Sequence, residues 1–449
     1  MDGHAVKSPN LEEKRQEFRK YLESTGVTEK LTNALMKLYQ QETKPDDPIA
    51  YIRKQLCEEC PDVEKVMEMQ TQIDELAKEK KLAAAEIAII KSQVKKTASE
   101  IDMIINTKYL ELKADEAGNS LLKEYLTDDN FEKLKALKTD VNGTLLDNIQ
   151  SGLYNFDSDI GIFASDKNAY DVFEGLFTGV LEDYHDVEGD PIHPESKWGD
   201  SHELEDLDPE SNFIKSIRII VGRSLNEFEF MPLLNVEKFE KIEEKISKAL
   251  IKIDDEEYKG TYQTLSSIDD KDVKKWIEDG TLFPEPEDKF LKSAETYRCW
   301  PKGRGLFKNE KNNVRAWINV EEHVQFISAD EGANLQKVYE RLSKIIELVG
   351  ELEFAKHERW GYLAHNLKNI GNTMRIIVKA KIPKLSLEEN SNKFESLLEA
   401  THIKAKDLPE KGYYELMSTK RVGLTEIETA LDFQKGIKEI MTAEKCLYL

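Results

Sequence analysis

The segment Thr373-Met-Arg-Ile-Ile-Val-Lys-Ala-Lys-Ile382 indicates the fold most directly. It is rich in β-branched residues and nearly alternates apolar with polar side chains, which predicts a strand with one buried face. Three further segments share this pattern: 213–221, 314–318 and 324–327. Apolar residues at i, i+3 and i+4 predict long helices over 235–252, 333–354 and 424–445. Because these strands and helices do not alternate strictly, we expect an α+β fold with a mostly antiparallel sheet.

The composition argues against several classes of partner. The chain has 449 residues, with 64 Lys and Arg against 87 Asp and Glu and a formal net charge of −23. A chain this negative repels nucleic acid and anionic lipid, so we expect neither as a partner. Its apolar stretches fall far short of the ~20 residues that cross a bilayer, and its polar N-terminus lacks the apolar core of a signal peptide. We therefore expect a cytoplasmic protein.

The cysteines give little sign of special chemistry. They are Cys57, Cys60, Cys299 and Cys446, too few and too scattered for a disulfide framework, so we expect free thiols. Cys57 and Cys60 have the spacing of a metal or redox pair, but no second pair and no histidine run stands nearby. The sequence therefore predicts no metal site.

The N-terminal quarter of the chain is predicted to be helical. Residues 1–60 form a small helical unit, and 61–112 form one coiled-coil helix. Its seam alternates steps of three and four and is interrupted only by Lys80 and Thr97. The apolar seam residues are Val66, Met69, Ile73, Leu76, Ala83, Ile87, Ile90, Val94, Ile101 and Ile104. The seam packs either on the same chain or on a partner helix. We expect a partner helix, because so long a seam outruns a single domain of ~30 Å.

Part of this region resembles a known adaptor family. The segments Glu17-Phe-Arg-Lys-Tyr-Leu-Glu-Ser-Thr-Gly-Val27 and Leu31-Thr-Asn-Ala-Leu-Met-Lys-Leu-Tyr39, followed by Lys44-Pro45, resemble the c-Myc-binding protein family over about 13–105. The resemblance implies an adaptor that binds anchoring proteins, including ones at the base of ciliary radial spokes. It therefore predicts that residues 1–110 dock on anchoring or axonemal proteins, in the axoneme of a cilium or flagellum.

The rest of the chain resembles an enzyme family. It carries these ordered blocks: Gly143-Thr-Leu-Leu-Asp-Asn-Ile-Gln-Ser-Gly152, Asp157-Ser-Asp-Ile-Gly-Ile-Phe163, Trp300-Pro-Lys-Gly-Arg-Gly305, Asn369-Ile-Gly-Asn-Thr-Met-Arg375 and Val422-Gly-Leu-Thr-Glu426. They resemble the ATP:guanidino phosphotransferases, the arginine and creatine kinases. The resemblance implies a small all-α lobe over 118–205 and a larger lobe over 206–449, with an antiparallel sheet flanked by helices. It also implies transfer of the γ-phosphoryl of MgATP to a guanidinium nitrogen, a reaction that depends on alignment and charge neutralisation.

The family binds the phosphates with five arginines, and two of them are kept here. Arg218 and Arg375 match the pattern, whereas Ile220 and Gln325 replace two others. The fifth arginine belongs to a mobile loop that corresponds to 404–411, where this chain has lysines and no arginine. Lysine supplies positive charge without the two-pronged guanidinium that fits phosphate oxygens.

Other site positions are altered as well. Glu321 matches the carboxylate that holds the guanidinium substrate, and Asn366 stands where the family has its reactive cysteine. Lys308 replaces the histidine that lies against the adenine. The family's substrate-specificity loop corresponds to Asp159, Ile160, Gly161 and Phe163.

These losses predict an inactive enzyme. Each missing phosphate contact removes ~2–4 kcal/mol of transition-state stabilisation, so three losses lower the rate by several orders of magnitude. We therefore expect a pseudo-phosphagen kinase that acts as a scaffold in a large assembly, with the axoneme as the best guess. One alternative is an active arginine or guanidino kinase that buffers ATP locally, its site rebuilt by Lys308, Lys368, Lys404 and Lys406. Another is a nucleotide sensor, and MgATP is the expected ligand if any nucleotide binding is retained.

The retained arginines also have a structural interpretation. Arg218 and Arg375 stand on predicted strands, where charged side chains often pair across neighbouring strands. In that interpretation they form ion pairs with Glu321 or Glu322. His323 and His365 lie beside the old site, and we expect each to be a hydrogen-bonded structural residue rather than a base.

Overall fold

A computed structural model describes residues 11–56, 63–93, 97–187, 189, 192–284 and 286–448. The chain divides into two compact units, Met1–Ala83 and Ala84–Leu449. Cys57, Cys60 and Val94, which enter the sequence predictions, lie outside the described residues. None of the helices in the described ranges combines the length and the apolar character needed to cross a membrane.

Helices form the first unit and surround the sheet of the second. In chain order they are α1 (Leu11–Ser24), α2 (Val27–Tyr39), α3 (Pro48–Leu56), α4 (Val63–Gln93), α5 (Ala98–Ala114), α6 (Leu121–Tyr125), α7 (Asp128–Leu134), α8 (Leu145–Tyr154), α9 (Ala169–Val172), α10 (Glu174–His185), α11 (Val236–Ile251), α12 (Asp270–Glu278), α13 (Lys289–Ser293), α14 (Leu335–Leu348), α15 (Ser391–Ala400) and α16 (Glu426–Cys446).

The strands all belong to the second unit. They are β1 (Ile214–Arg223), β2 (Gly260–Thr264), β3 (Gly305–Asn309), β4 (Val314–Ile318), β5 (Val324–Glu331), β6 (Lys356–His357), β7 (Gly361–Tyr362), β8 (Met374–Lys381), β9 (Ile403–Asp407) and β10 (Tyr413–Ser418). Eight of them form one antiparallel sheet in the order β2-β3-β4-β5-β1-β8-β10-β9. The α+β prediction is therefore confirmed.

The first unit has a very small core. Gly26, between α1 and α2, has a φ of 71°, the left-handed conformation in which a glycine commonly ends a helix. Of the side chains described in this unit, Ala34 alone is buried. By contrast, Phe18 is 61% and Tyr39 83% exposed. A unit with so little buried apolar surface needs further contacts to be stable.

The predicted coiled-coil helix over 61–112 is two helices, and its continuity was predicted wrongly. Thr97 is the N-cap of α5 and has an extended, non-helical backbone. It forms a capping box, in which its hydroxyl accepts from Glu100 N and its own N donates to the Glu100 carboxylate. One face of α5 is buried and carries Ile105, Tyr109 and Leu112. The last seam positions, Ile101 and Ile104, pack against this same core. That end of the seam therefore packs on its own chain.

The small helical lobe shares one apolar core with a later segment of the chain. Helices α5 to α10 contribute most of this core, and Trp360, Leu363 and Leu367 complete it. The Tyr170 hydroxyl donates to Ala364 O at 2.7 Å, and Ala164 N donates to His365 O at 2.8 Å. The loop that carries position 366 is consequently fixed to the small lobe.

Three long helices pack against one face of the large sheet. Helix α14 contacts β1, β4 and β5, α16 contacts β8, and α11 contacts β2 and β3. Side chains alternate between the faces of a strand, so the remaining side chains of β1, β5 and β8 line the opposite face. That face forms the floor of the candidate site.

Candidate functional site

Neighbouring strands bring the predicted phosphate positions together. Ile220 on β1 is paired with Ile327 on β5 and with Arg375 on β8. Arg218 lies two residues earlier on the same face, opposite Ile377 of β8. The sheet therefore places three of the predicted phosphate positions, Arg218, Ile220 and Arg375, within one small area.

The centre of this floor is apolar. Ile220, Ile327 and Ile377 are only 5%, 2% and 4% exposed, and they pack together under Trp317 and Met417. The position that the family resemblance assigns to a second arginine therefore lies inside a closed apolar cluster. A charged phosphate brought here would lose its hydration and gain no donor from these side chains.

Arg218 is paired with a carboxylate from the same sheet. Its Nη2 lies 2.9 Å from Oε1 of Glu415 on β10, and it reaches that partner across the intervening strand β8. Burial lowers the pKa of Arg218, although nearby Glu415 favours its charged form. The predicted ion pair with Glu321 or Glu322 is wrong for this residue, because a closer carboxylate comes from a strand far away in sequence.

Of the two arginines that match the family's phosphate positions, Arg375 is the one whose side chain forms no hydrogen bond or ion pair with any residue that the structure describes. Its Nε is buried and without a hydrogen-bond partner. Its positive charge also helps to lower the pKa of Arg218 and of the buried Arg421, in each case after the larger effect of burial. A predicted pair with Glu321 or Glu322 is not formed here either.

Glu321 accepts hydrogen bonds from two residues that stand at other predicted site positions. Its Oε1 accepts from the Asn366 side-chain amide at 2.5 Å, and its Oε2 accepts from Gln325 Nε2 at 3.3 Å. Asn366 stands at the predicted cysteine position and Gln325 at a predicted arginine position. The carboxylate predicted to hold a guanidinium therefore already has two amide donors.

Glu322, next in sequence, is a buried structural carboxylate. It accepts from His365 N at 2.8 Å, from Ser224 Oγ at 3.0 Å and from Asn366 N at 3.2 Å. Burial, with the neighbouring charge of Glu321, raises its pKa to about 8. Its contacts fix the loop that carries position 366.

Lys308 lies on an aromatic ring at the far side of the floor. Its Nζ is 3.7 Å from the centroid of the Trp276 ring, which belongs to helix α12. Trp276 packs in a second apolar cluster with Trp317 and Val320. The lysine predicted to face the adenine is thus covered by an indole of its own chain.

The four lysines of the alternative basic pocket do not come together. Lys308 is on β3, whereas Lys404 and Lys406 are on β9. Six strand intervals separate β3 from β9, a distance of roughly 29 Å at the usual strand spacing. Lys368 Nζ instead lies 2.9 Å from Asp159 Oδ2. A single pocket built from all four lysines is therefore excluded by the sheet order.

The substrate-loop positions are mostly structural. Ile160 and Phe163 are buried, and Phe163 N donates to Asn148 O at 2.9 Å. Gly161 has a φ of 79°, and a Cβ there would lie 3.0 Å from the Leu122 Cβ. Asp159 is exposed, and its hydrogen bond from Lys368 lowers its pKa. The loop therefore presents one charged side chain, already paired.

The segment predicted to be a mobile loop is a short hairpin. Residues 403–407 form β9 and pair with β10, where Lys406 lies opposite Glu415 and Lys404 opposite Met417. Leu408 N donates to Tyr413 O at 3.1 Å and closes the turn. The fifth arginine position is therefore replaced by an edge strand with lysines.

The two histidines near the site are structural, as predicted. His323 accepts from Leu225 N at 2.9 Å, and its other ring nitrogen lies 3.0 Å from Glu229 O. His365 contacts Ala164 O at 2.7 Å and Thr296 Oγ1 at 2.8 Å. Burial lowers the pKa of His323 to about 3 and that of His365 to about 4. Both nitrogens of each ring already have hydrogen-bond partners within the chain, which is the arrangement of a structural histidine.

Sequence reasoning missed several residues that shape the floor. They are Trp276, Ile327, Ile377, Glu415 and Met417, whereas the sequence predicts Trp317 as an aromatic of the core or of the cleft wall. A signal for the apolar cluster was present, because Ile219-Ile220 and Ile376-Ile377 place isoleucine on both faces of a strand. Such doubled residues indicate a strand buried on both sides. The partner of Arg218 had no comparable signal.

Family comparisons agree with both resemblances. Residues 241–447 match the profile of the ATP:guanido phosphotransferase C-terminal catalytic domain, and 116–182 match that of its N-terminal domain. Residues 12–93 match the profile of the c-Myc-binding protein.

Individual relatives give the same result. The chain is 39% identical to an arginine kinase of Limulus polyphemus over 333 residues, which is 73% of this chain and 92% of the relative. The duplicated taurocyamine kinase of Schistosoma mansoni, solved with transition state analog components, superimposes with a TM-score of 0.72 and 34% identity. That superposition covers 76% of this chain and 48% of the other, so this chain spans about half of the duplicated enzyme. A lombricine kinase structure, at 24% identity, a TM-score of 0.68 and coverage of 75% and 96%, shows the same fold.

Proposed function

Because the chain belongs to the ATP:guanido phosphotransferase family, we propose that it is a member whose cleft no longer supports phosphoryl transfer and that it serves as a scaffold. The observation that carries this proposal is the pairing of the altered residues with retained ones. Asn366 and Gln325 donate to Glu321, and Glu415 neutralises Arg218. Two retained side chains that would meet the substrates thus have partners from the chain itself.

The described side chains fit MgATP poorly. A triphosphate needs several cationic donors that converge on one place. Here Ile220 lies in a closed apolar cluster and Arg218 already has a carboxylate partner. On the adenine side, Lys308 is stacked on Trp276. Arg375 remains as a single guanidinium, which is too little to hold three phosphates against water.

A second candidate function is an active arginine or guanidino kinase that buffers ATP locally. The comparisons by themselves favour it, because three relatives at 38–39% identity that match across more than nine tenths of their length are arginine kinases. Three site residues of that function are also retained, namely Arg218, Arg375 and Glu321. The contacts described above argue against it. Arg218 and Glu321 already have partners within the chain, so too few cationic donors remain for a triphosphate.

Two measurements on the purified full chain separate the candidates. A coupled assay with MgATP and arginine, creatine or taurocyamine tests turnover, with the Limulus arginine kinase as the positive control. Isothermal titration with MgATP tests binding. We expect neither turnover nor heat of binding. Turnover near that of the control would exclude the scaffold and establish the kinase, whereas binding without turnover would indicate a nucleotide sensor.

We also propose that residues 1–110 dock the chain on an anchoring protein of the ciliary or flagellar axoneme. The match of 12–93 to the c-Myc-binding protein supports an adaptor, and the exposed Phe18, Tyr21 and Leu35 provide apolar surface for docking. The ciliary location depends on the adaptor resemblance alone. A tagged chain should remain with detergent-extracted axonemes, and its complete release with the soluble fraction would contradict this location.

A further inference from the structure

The long helix α4 carries an apolar seam that is open to solvent. Six of its seam residues are between 47% and 64% exposed: Val66, Met69, Ile73, Leu76, Ile87 and Ile90. With Lys80 and Ala83 between Leu76 and Ile87, the seam positions are spaced alternately by three and four residues. They lie along a helix of 31 residues, ~46 Å long. A seam this long and regular needs a second helix to cover it.

The charges along α4 are divided between its two halves. In the sequence, 63–79 contains five acidic residues and two basic ones, whereas 80–93 contains three basic residues and one acidic one. A second α4 that ran parallel and in register would set acidic half against acidic half. A second α4 that ran antiparallel would set the acidic half of each helix against the basic half of the other, which is electrostatically favourable.

From this complementarity we propose that α4 pairs with the α4 of a second copy of the chain, in antiparallel orientation. The interface is isologous, because each helix offers the same self-complementary face. The proposal depends on the seam and its charges, and it is independent of whether the cleft is active.

Packing within the seam favours the same orientation. In a parallel pair Lys80 would face Lys80 and Ala83 would face Ala83. Two adjacent layers of the seam would then bury little apolar surface. In the antiparallel pair Lys80 faces Leu76 and Ala83 faces Ile73, so each weak residue meets a large apolar one. Seam residues at the two ends then pair as Val66 with Ile90, and Met69 with Ile87.

This register also accounts for the charges at its centre. Glu79 comes near its symmetry mate there, which alone would be repulsive. Lys80 of each helix, one residue away, lies beside Glu75 and Glu79 of the other and offsets that repulsion. A lysine at a single core position is a known means of fixing the register of a helix pair at some cost in stability.

Sedimentation of the full chain tests whether the interface exists. We expect a reversible dimer at micromolar concentration, and we expect Met69→Lys to weaken it at least about tenfold by placing a charge in the seam. Met67→Lys is the matched control, because Met67 is 67% exposed on the outer side of the same turn. A chain that stays monomeric, or a dimer that Met69→Lys leaves intact, would overturn the proposal.

Disulfide trapping tests the orientation. In a background where Cys57, Cys60 and Cys446 are serine, chains with Ile73→Cys and chains with Ala83→Cys are oxidised separately and as a mixture. We expect a cross-linked dimer from the mixture alone, because Ile73 faces Ala83 of the other copy. Cross-linking of the Ile73→Cys chain with itself would show a parallel pair, and a mixture that gives no cross-link would exclude this register; either result contradicts the proposal.

Discussion

Arg218 shows how one neighbour can engage a side chain that the family resemblance assigns to phosphate binding. Its guanidinium crosses strand β8 above Ile377 to reach Glu415 on β10. The carboxylate accepts a hydrogen bond from the guanidinium, as a phosphate oxygen would. Glu321 is in a similar position, because Asn366 and Gln325 donate to it where a guanidinium substrate would.

Removing the charge of Glu415 is expected to restore anion affinity at Arg218. Glu415→Gln leaves Arg218 and Arg375 close together without a carboxylate, so binding of inorganic pyrophosphate should become about tenfold tighter. Glu410→Gln is the control, since Glu410 lies in the same hairpin and contacts Lys379 instead. Isothermal titration measures both. Equal affinities for the two variants would show that Glu415 does not block the anion position.

Buried histidines are expected to make the fold sensitive to acid. Burial lowers the pKa of His185 to about 4, whereas an unfolded histidine titrates near 6.5. The unfolded chain therefore binds the proton first, so this contribution to stability is complete above pH ~6.5 and declines as the pH falls. Between pH 7 and pH 5 the loss for one such histidine is about 2 kcal/mol.

His185→Gln tests this effect while keeping the hydrogen bond to Leu367 O. Urea unfolding of the variant should lose about 2 kcal/mol less than the natural chain between pH 7 and pH 5. Glu322, whose raised pKa acts in the opposite direction, is the same in both chains and cancels. His402→Gln, at an exposed position, should leave the pH dependence unchanged. An identical pH dependence for His185→Gln and the natural chain would contradict the prediction.

At the scale of elements, the face of the sheet decides which changes the site tolerates. Strands β1, β5 and β8 supply an isoleucine each to a cluster that Trp317 and Met417 cover. Gln325, two residues before Ile327 on β5, instead faces the polar rim and contacts Glu321. The two arginine positions lost from this face are therefore unequal, one apolar and closed, the other polar.

Restoring the two arginines singly should expose this difference. Ile220→Arg buries a guanidinium among apolar side chains and should lower the free energy of unfolding by several kcal/mol. Gln325→Arg keeps a donor near Glu321 and should cost about 1 kcal/mol or less. Urea denaturation measures both, and neither variant should gain kinase activity. If Ile220→Arg proved as stable as Gln325→Arg, the apolar cluster would be far looser than its burial indicates.

At the scale of the whole molecule, the two compact units differ in how much apolar surface they bury. The second unit contains the large sheet core and the small-lobe core. In the described part of the first unit, Ala34 is the one fully buried side chain. Such a unit opens more readily than a large core, because little buried area opposes its conformational entropy.

Hydrogen exchange of the full chain should show this contrast. Amides of α1, α2 and α3 are expected to exchange at least about a hundredfold faster than those of β1, β5 and β8. The Met69→Lys variant, in which self-association is weakened, serves as a control for the effect of the dimer on exchange. We expect it to leave the slow exchange of β1, β5 and β8 unchanged. Equal protection of the two units in dilute solution would show that the first has a core beyond the one described.

The sequence by itself determined the family and the α+β class, because these depend on which residues occupy positions of a recognisable pattern. It also predicts that three arginines and the cysteine of that pattern are replaced. It also gave the structural role of His323 and His365. The tertiary structure decided which residues pair. Arg218 and Glu415 are 197 positions apart in the chain, and sheet order alone brings them together while it keeps Lys308 away from Lys404. Local patterns carry no record of such long-range pairing, since strand order depends on how the whole chain packs its core.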